Sequence, residues 1–365
     1  MNKILGIISC NYHLDGLKEM TQNRPIGVTP FGGRYAIADF ILSSMVNSGV
    51  KTIGFVTPYL YRPILDHLGS GKEWNLDRKK GGLFILPGVT NWIYSHTKFS
   101  LQDLKKNKDF LLREKADYVL LSGSNGICNI DFIPPRELHK TYGADITLLY
   151  KDMVVAPEGS QALTLDGHGR VTAIQPSPKG KASVFADMIL IDLPLLLEIV
   201  QESKEEDALD LMEVITSHLG KYKVVGYPIP GFYGSITSLE SYYAINMSLM
   251  DDAVSEELFS QDNKIITRIK DNPPTKYGPT ADIVEAIVSS GCLLEGQVER
   301  SLIFRGCTIG AGSSVRGSIL MHDTRIGKNV VLDHVVLDKD VTVSDGTILK
   351  GEEGHPVFVP KAKHL

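Results

Sequence analysis

Residues 276–365 carry an aliphatic repeat that leaves few folds open. Ile303, Ile309 and Val315 are followed by Leu320, Ile326 and Leu332, then by Leu337, Val343 and Leu349. Each member returns after 17 residues, with spacings of 6, 6 and 5 inside a turn, and Gly310 and Gly327 recur at the same period. A β-sandwich would alternate apolar and polar side chains with a period of two between hairpin turns, and this stretch does not. An aliphatic residue about every sixth position, with turn residues between, places one short strand on each face of a three-sided coil. Stacking such coils buries the ladder. The repeat predicts a left-handed parallel β-helix over 276–365.

The front of the chain reads differently. Residues 1–250 alternate apolar strand-like runs with amphipathic helical ones, the pattern of an α/β sheet with crossovers. Strands are expected at Ile4–Ser9, Thr52–Thr57, Tyr118–Leu121, Ile146–Tyr150 and Met188–Ile191, and helices at Leu101–Arg113 and Leu193–Glu202. Asp271-Asn272-Pro273-Pro274-Thr275 can continue neither kind of element. Residues 251–275 therefore read as a linker between two domains, a division that suits 365 residues.

Composition narrows the function classes. Hydrophobic content of 43% and charged content of 22% are those of a globular protein, and a net charge of −5 gives nucleic acid or a membrane surface no purchase. No apolar run reaches the roughly 20 residues of a membrane span, and Met1-Asn2-Lys3 enters the first strand without a signal-peptide core. Cys10, Cys128, Cys292 and Cys307 lack metal-ligand spacing and read as small buried side chains in a reducing compartment. A cytoplasmic protein is expected.

Several blocks then carry a resemblance. Thr21-Gln22-Asn23-Arg24, Val28-Thr29-Pro30-Phe31-Gly32-Gly33-Arg34-Tyr35, Asn47-Ser48-Gly49-Val50 and Trp74-Asn75-Leu76-Asp77-Arg78-Lys79-Lys80-Gly81-Gly82 lie in the front domain. Ser301-Leu302-Ile303-Phe304-Arg305-Gly306 and Asp338-Lys339 lie in the repeat. Together they resemble the glucose-1-phosphate adenylyltransferases, the ADP-glucose pyrophosphorylases of bacterial glycogen synthesis, over nearly the whole chain. The resemblance implies a nucleotidyltransferase front domain, Rossmann-like and of GT-A type, followed by the β-helix.

The residues that the same resemblance would make catalytic are missing. The family's glycine-rich loop after the first strand cradles triphosphate with backbone N–H groups, and glycine permits that close approach. Here the stretch is Asn11-Tyr12-His13-Leu14-Asp15-Gly16, with bulk at Tyr12 and Leu14 and Gly16 where an arginine would stand. A lysine position becomes Ile26, and the sugar-phosphate lysine becomes Gln175. The family holds Mg²⁺ with two aspartates, and Ser124 and Ser235 stand at those places. Arg24 and Gln102 agree with the family and are candidate substrate contacts. Lys98 is either a phosphate contact or a solvated surface lysine, and His96 reads as an ordinary loop histidine rather than a base. Arg34 and Arg305 are either remnants of an anionic effector site or plain surface and interface arginines.

Each lost donor or charge typically costs an electrostatically stabilised transition state about 2.7–4 kcal/mol, so five or six together remove almost all catalysis. The blocks that shape the scaffold are intact. The resemblance is therefore to the non-catalytic branch of the family: a subunit that binds no cofactor itself, leaves Mg²⁺ to a catalytic homologue, and joins it in a hetero-oligomer, a tetramer as in the family, with self-association also open. Two alternatives stay open. One is a weakly active enzyme with rearranged ligands, Asp15 or Asp131 for metal and Lys98 or Lys179 for phosphate. The other is a stand-alone sensor of sugar phosphate or nucleotide.

Overall fold

The structure, a computed structural model, describes residues 3–89, 97–113, 115–204, 210–260 and 262–365. Its front half is built on a nine-stranded mixed sheet. The strands are β1 (Ile4–Ser9), β2 (Thr52–Thr57), β3 (Gly82–Pro87), β4 (Tyr118–Gly123), β5 (Ile146–Met153), β6 (Gln161–Leu165), β7 (Val171–Pro176), β8 (Ala182–Asp192) and β9 (Val224–Pro228). Strands β3, β2, β1 and β4 run parallel in that order. Strand β8 then enters antiparallel beside β4 and carries β5 and β6 along its other edge.

Parallel strands covered on both faces read as continuous apolar runs, and β1 obeys. Its Ile8 packs with Phe40, Tyr242 and the helix Ile37–Asn47 on one face. Its Leu5 and Ile7 pack with Phe110, Leu196 and Ile199 on the other. The strands expected from sequence all form, and β5 and β8 run on beyond their expected ends. The expected helix Leu101–Arg113 is instead two, Leu101–Lys106 and Lys108–Leu112. Asn107 breaks it, because its side-chain amide donates to Asp103 O at 2.8 Å and to Pro87 O at 3.1 Å, offering the backbone an alternative to helix.

From Lys276 onward the chain winds into three five-stranded parallel sheets, one per face of a β-helix. The register is that of the sequence repeat: Ile303 pairs with Leu320 and Leu320 with Leu337, Ile309 with Ile326 and Ile326 with Val343, Val315 with Leu332 and Leu332 with Leu349. These side chains fill the interior of the coils. Glycine at 310 follows from the same stacking, since a Cβ there would lie 2.5 Å from Gly327 O in the next coil.

The two halves share one core. Leu302, Phe304, Ile319, Met321 and Val336 of the β-helix belong to the same apolar cluster as Phe31, Phe40 and Tyr242 of the front half. Tyr243 donates its hydroxyl to Gly317 O at 2.6 Å. The segment 251–275 is fastened rather than loose. It opens with a helix, Asp252–Leu258, and Ser43 Oγ then accepts from Ile266 N at 2.8 Å and donates to Ile266 O at 3.2 Å.

Candidate functional site

The carboxyl ends of β1 and β4 meet where a mononucleotide fold places its ligand. The turn after β1 is closed by its own side chains. Asn11 donates to the Asp103 carboxylate at 2.9 and 3.1 Å, tying the turn to the helix Leu101–Lys106. Burial pushes the Asp103 carboxyl up, and Asn11 and Val89 N–H pull it back down. Tyr12 turns inward. Its hydroxyl accepts from Ser124 N at 3.0 Å, donates to Asn125 Oδ1 at 2.8 Å, and lies 3.3 Å from Ser124 Oγ. Burial holds that phenol far above its ordinary pKa, so it stays a donor. Leu14 packs on the front core, and Gly16 lies against Ser238, with Leu239 N donating to Gly16 O at 3.1 Å. A Cβ at Gly16 would stand 2.6 Å from Thr237 O, which forbids any side chain there.

The structure brings Ser235 beside Ser124 and Asn125, the stretch where the resemblance calls for metal aspartates. Asn125 Nδ2 donates to Ser235 Oγ at 3.2 Å and to Ile236 O at 3.2 Å, while Ser124 beside it is fully buried. The donors at this point are hydroxyl and amide oxygens without charge. A hydrated Mg²⁺ calls for carboxylate or phosphate oxygens, and this set does not fit it. The nearby carboxylate, Asp187, is already taken by the Lys98 ammonium, which also sits 5.7 Å from the centre of the Tyr12 ring. Among the described residues no group of three or more His, Cys, Asp or Glu side chains stands in metal-binding array.

The other expected residues scatter. Ile26 is buried in the short turn Ile26–Val28. Gln175 is exposed on β7, opposite Ala162, and the residue that reaches the cavity is Gln161. Gln102 donates to Lys204 O at 2.6 Å. Arg24 lies beside the turn, lining a small pocket with Tyr12, Leu14 and Ile26, but its guanidinium is held in a buried ion pair with Asp338 of the β-helix at 2.6 Å. Asp131 spends one oxygen on Ile133 N at 2.9 Å, starting a helix, and Asp15 and Lys179 are exposed. His96 lies outside the described residues.

A cavity of about 340 Å³ opens beside this network, lined by Lys98, Phe99, Gln161, Phe185, Asp187, Asp210, Glu213, Ser235 and Thr237 among others. Sequence reasoning missed Asp187. The signal was an acid inside the apolar run Phe185-Ala186-Asp187-Met188-Ile189, which the structure explains as a β-bulge with Asp187 at φ +54°.

A second site lies at the seam between the front half and the β-helix. Arg34 and Arg305 do meet there, in a small pocket of about 60 Å³ shared with Arg268, Lys270, His322 and Lys339. Among the described residues no carboxylate lines it. Burial, then the Arg24 charge, pushes Lys339 down to about 8. His322 is pushed down to about 2 by burial, then by Lys339 and Lys270. Burial and Arg34 also lower Arg305. His322 Nδ1 and Thr267 Oγ1 are buried without a hydrogen-bond partner among the described residues. Cations are crowded together there with two unsatisfied polar atoms, and the field at the seam is positive.

A nucleotidyltransferase-type front domain fused to a left-handed β-helix is the class that this fold defines. Residues 273–354 match the family described as GlmU-like, C-terminal hexapeptide. The glycogen biosynthesis protein GlgD of Bacillus subtilis (strain 168) is 30% identical over 99% of this chain and 96% of its own length. That of Geobacillus stearothermophilus is 33% identical over 86% of this chain and 83% of its own length. A glucose-1-phosphate adenylyltransferase of Bacillus thuringiensis (strain Al Hakam) is 28% identical over 92% of both chains. The chain belongs to the GlgD family. Among the described residues no helix is long and apolar enough to cross a membrane.

Proposed function

We propose that this chain is a non-catalytic, activity-modulating subunit of glucose-1-phosphate adenylyltransferase, working in the cytoplasm in bacterial glycogen synthesis. The observation that carries the reading is the set of neutral groups at Ser124 and Ser235, where the resemblance calls for magnesium carboxylates, closed by Asn125 Nδ2, which donates to Ser235 Oγ at 3.2 Å. Neutral groups that satisfy one another there neither hold a hydrated divalent cation nor balance the charge of a transferring phosphoryl group. Tyr12 fills the adjoining phosphate cradle, and Arg24 is committed to Asp338. The relatives, a glycogen biosynthesis protein and a glucose-1-phosphate adenylyltransferase, support the same pathway and partner.

In this reading Mg²⁺ and the chemistry belong to a catalytic homologue. The two chains form a hetero-oligomer, a tetramer by analogy with the family. Docking lowers the free energy of the neighbour's active conformation, a coupling that runs equally in both directions. The seam pocket with Arg34 and Arg305 gives the chain an anionic effector site, through which a phosphorylated metabolite alters that coupling. The alternative of an enzyme with rearranged ligands finds less support, because Asp131 starts a helix and Lys98 is held by Asp187.

The test is pyrophosphate release from ATP and glucose 1-phosphate with Mg²⁺, measured for this chain alone, the catalytic homologue alone, and the mixture. The expected result is silence from this chain and a faster rate in the mixture than from the homologue alone. A substantial rate from the pure chain overturns the reading in favour of rearranged ligands. Silence with no effect in the mixture overturns it in favour of a stand-alone sensor.

A further inference from the structure

The cavity beside the closed loop is still open, and its charge says what it admits. At about 340 Å³ it falls at the lower end of small-molecule sites, which span roughly 300–1,000 Å³, a size suited to one sugar unit. Phe99, Phe185 and Met212 give it an apolar wall, and Gln161, Ser235 and Thr237 bring amide and hydroxyl groups to the same space. That combination is the chemistry of polyol recognition: C–H faces against rings, hydroxyls against short polar side chains.

Among the described residues no unengaged cation lines it to neutralise a phosphate group. Lys98 is the cation on the lining, and it is taken twice, by the Asp187 carboxylate and by the face of the Tyr12 ring. Against it stand three carboxyl groups, Asp187, Asp210 and Glu213. Asp210 accepts from Phe99 N and Met212 N at 2.8 and 2.9 Å, and among the described residues no cation is paired with it. A dianion entering this space meets net repulsion in a medium less screening than water. Asp187 is also the residue held at φ +54° in the β-bulge of β8. Such backbone strain persists only where the surroundings enforce it, and here it aims a carboxylate at the cavity.

We propose that this cavity binds an uncharged hexose unit and turns away sugar phosphates, with Asp187 setting the preference by neutralising Lys98. The proposal rests on the reading of this chain as non-catalytic, and it gives the inactive pocket a ligand class of its own.

Calorimetric titration of the full chain alone, without ATP, Mg²⁺ or partner, tests it with glucose, maltose and glucose 1-phosphate as probes. Glucose or maltose is expected to bind, with glucose 1-phosphate at least about tenfold weaker. Comparing glucose with maltose separates a free monosaccharide from the end of a glucan chain. Asp187→Asn frees the Lys98 ammonium, and asparagine tolerates the left-handed backbone, so the fold survives. That variant should shift the ratio toward glucose 1-phosphate by about tenfold. Glu213→Gln, at an exposed position where glutamine still serves the helix cap, should weaken glucose or maltose by roughly threefold without loss of stability. Glucose 1-phosphate binding the native chain as tightly as glucose overturns the proposal, as does the absence of binding by either neutral sugar. Because the partner is not in the cell, failure here is separable from the result of the mixing assay.

Discussion

Replacing Tyr12 with phenylalanine removes one hydroxyl that Ser124 N, Asn125 Oδ1 and Ser124 Oγ share. Leaving a buried N–H and a buried amide oxygen without a partner costs about 1–3 kcal/mol, so the urea midpoint should fall by a corresponding amount with the slope unchanged. On the proposed non-catalytic reading, pyrophosphate release should not appear in this variant. At the seam the prediction concerns pH. The unfolded chain keeps the Lys339 proton up to its ordinary 10.5, while the folded chain releases it near 8. The unfolded state therefore binds more protons between those values, and stability rises with pH across that window. Lys339→Met should flatten this part of the Tm–pH curve and raise Tm at neutral pH. His322 has the same sign at acid pH: its ordinary 6.5 drops to about 2, so stability is lost as pH falls below 6.5. Sulfate or phosphate in the seam pocket should reduce both effects by restoring the charged forms.

At the scale of elements, the β-helix was the most legible part, because its order is short-ranged. Every aliphatic residue that returns after 17 positions is a ladder partner of the one before it, so spacing alone yields register. Gly310→Ala tests that geometry directly. The added methyl would stand 2.5 Å from Gly327 O and force two coils apart, at a cost typical of overpacking, about 1–3 kcal/mol, readable in thermal unfolding. The strands of the front sheet were legible from their apolar runs, but the break at Asn107 was not. It depends on an amide that finds Pro87 O some twenty residues upstream, and local periodicity carries no trace of that contact. The site divides the same way. The departures from the family pattern at Tyr12, Ile26 and Ser235 could be read one residue at a time. The contacts made around them, Asn125 to Ser235 and Lys98 to Asp187, join residues far apart in the chain and became visible only with the fold.

The molecule as a whole is held at one point by a charge pair that sequence reasoning placed elsewhere. Arg24 agrees with the family pattern and was a candidate substrate contact, yet it crosses the seam to Asp338 at 2.6 Å, 314 residues along the chain. Both side chains are almost wholly buried, in the same neighbourhood as the core that spans front half and β-helix. A buried pair of this kind is costly to break and cheap to replace. Removing one partner, as in Asp338→Ala, strands a guanidinium whose Nε already lacks a partner, and should cost about 3–5 kcal/mol. Removing both charges, as in Arg24→Met with Asp338→Leu, should recover most of that loss, and the double-mutant cycle isolates the coupling. The shared core adds a second expectation. Front half and β-helix should melt in one transition in the parent chain, and Asp338→Ala should lower the Tm of that single transition. Two separate transitions in the parent would mean that the seam carries little free energy, and that an anion bound there has no route to the rest of the fold.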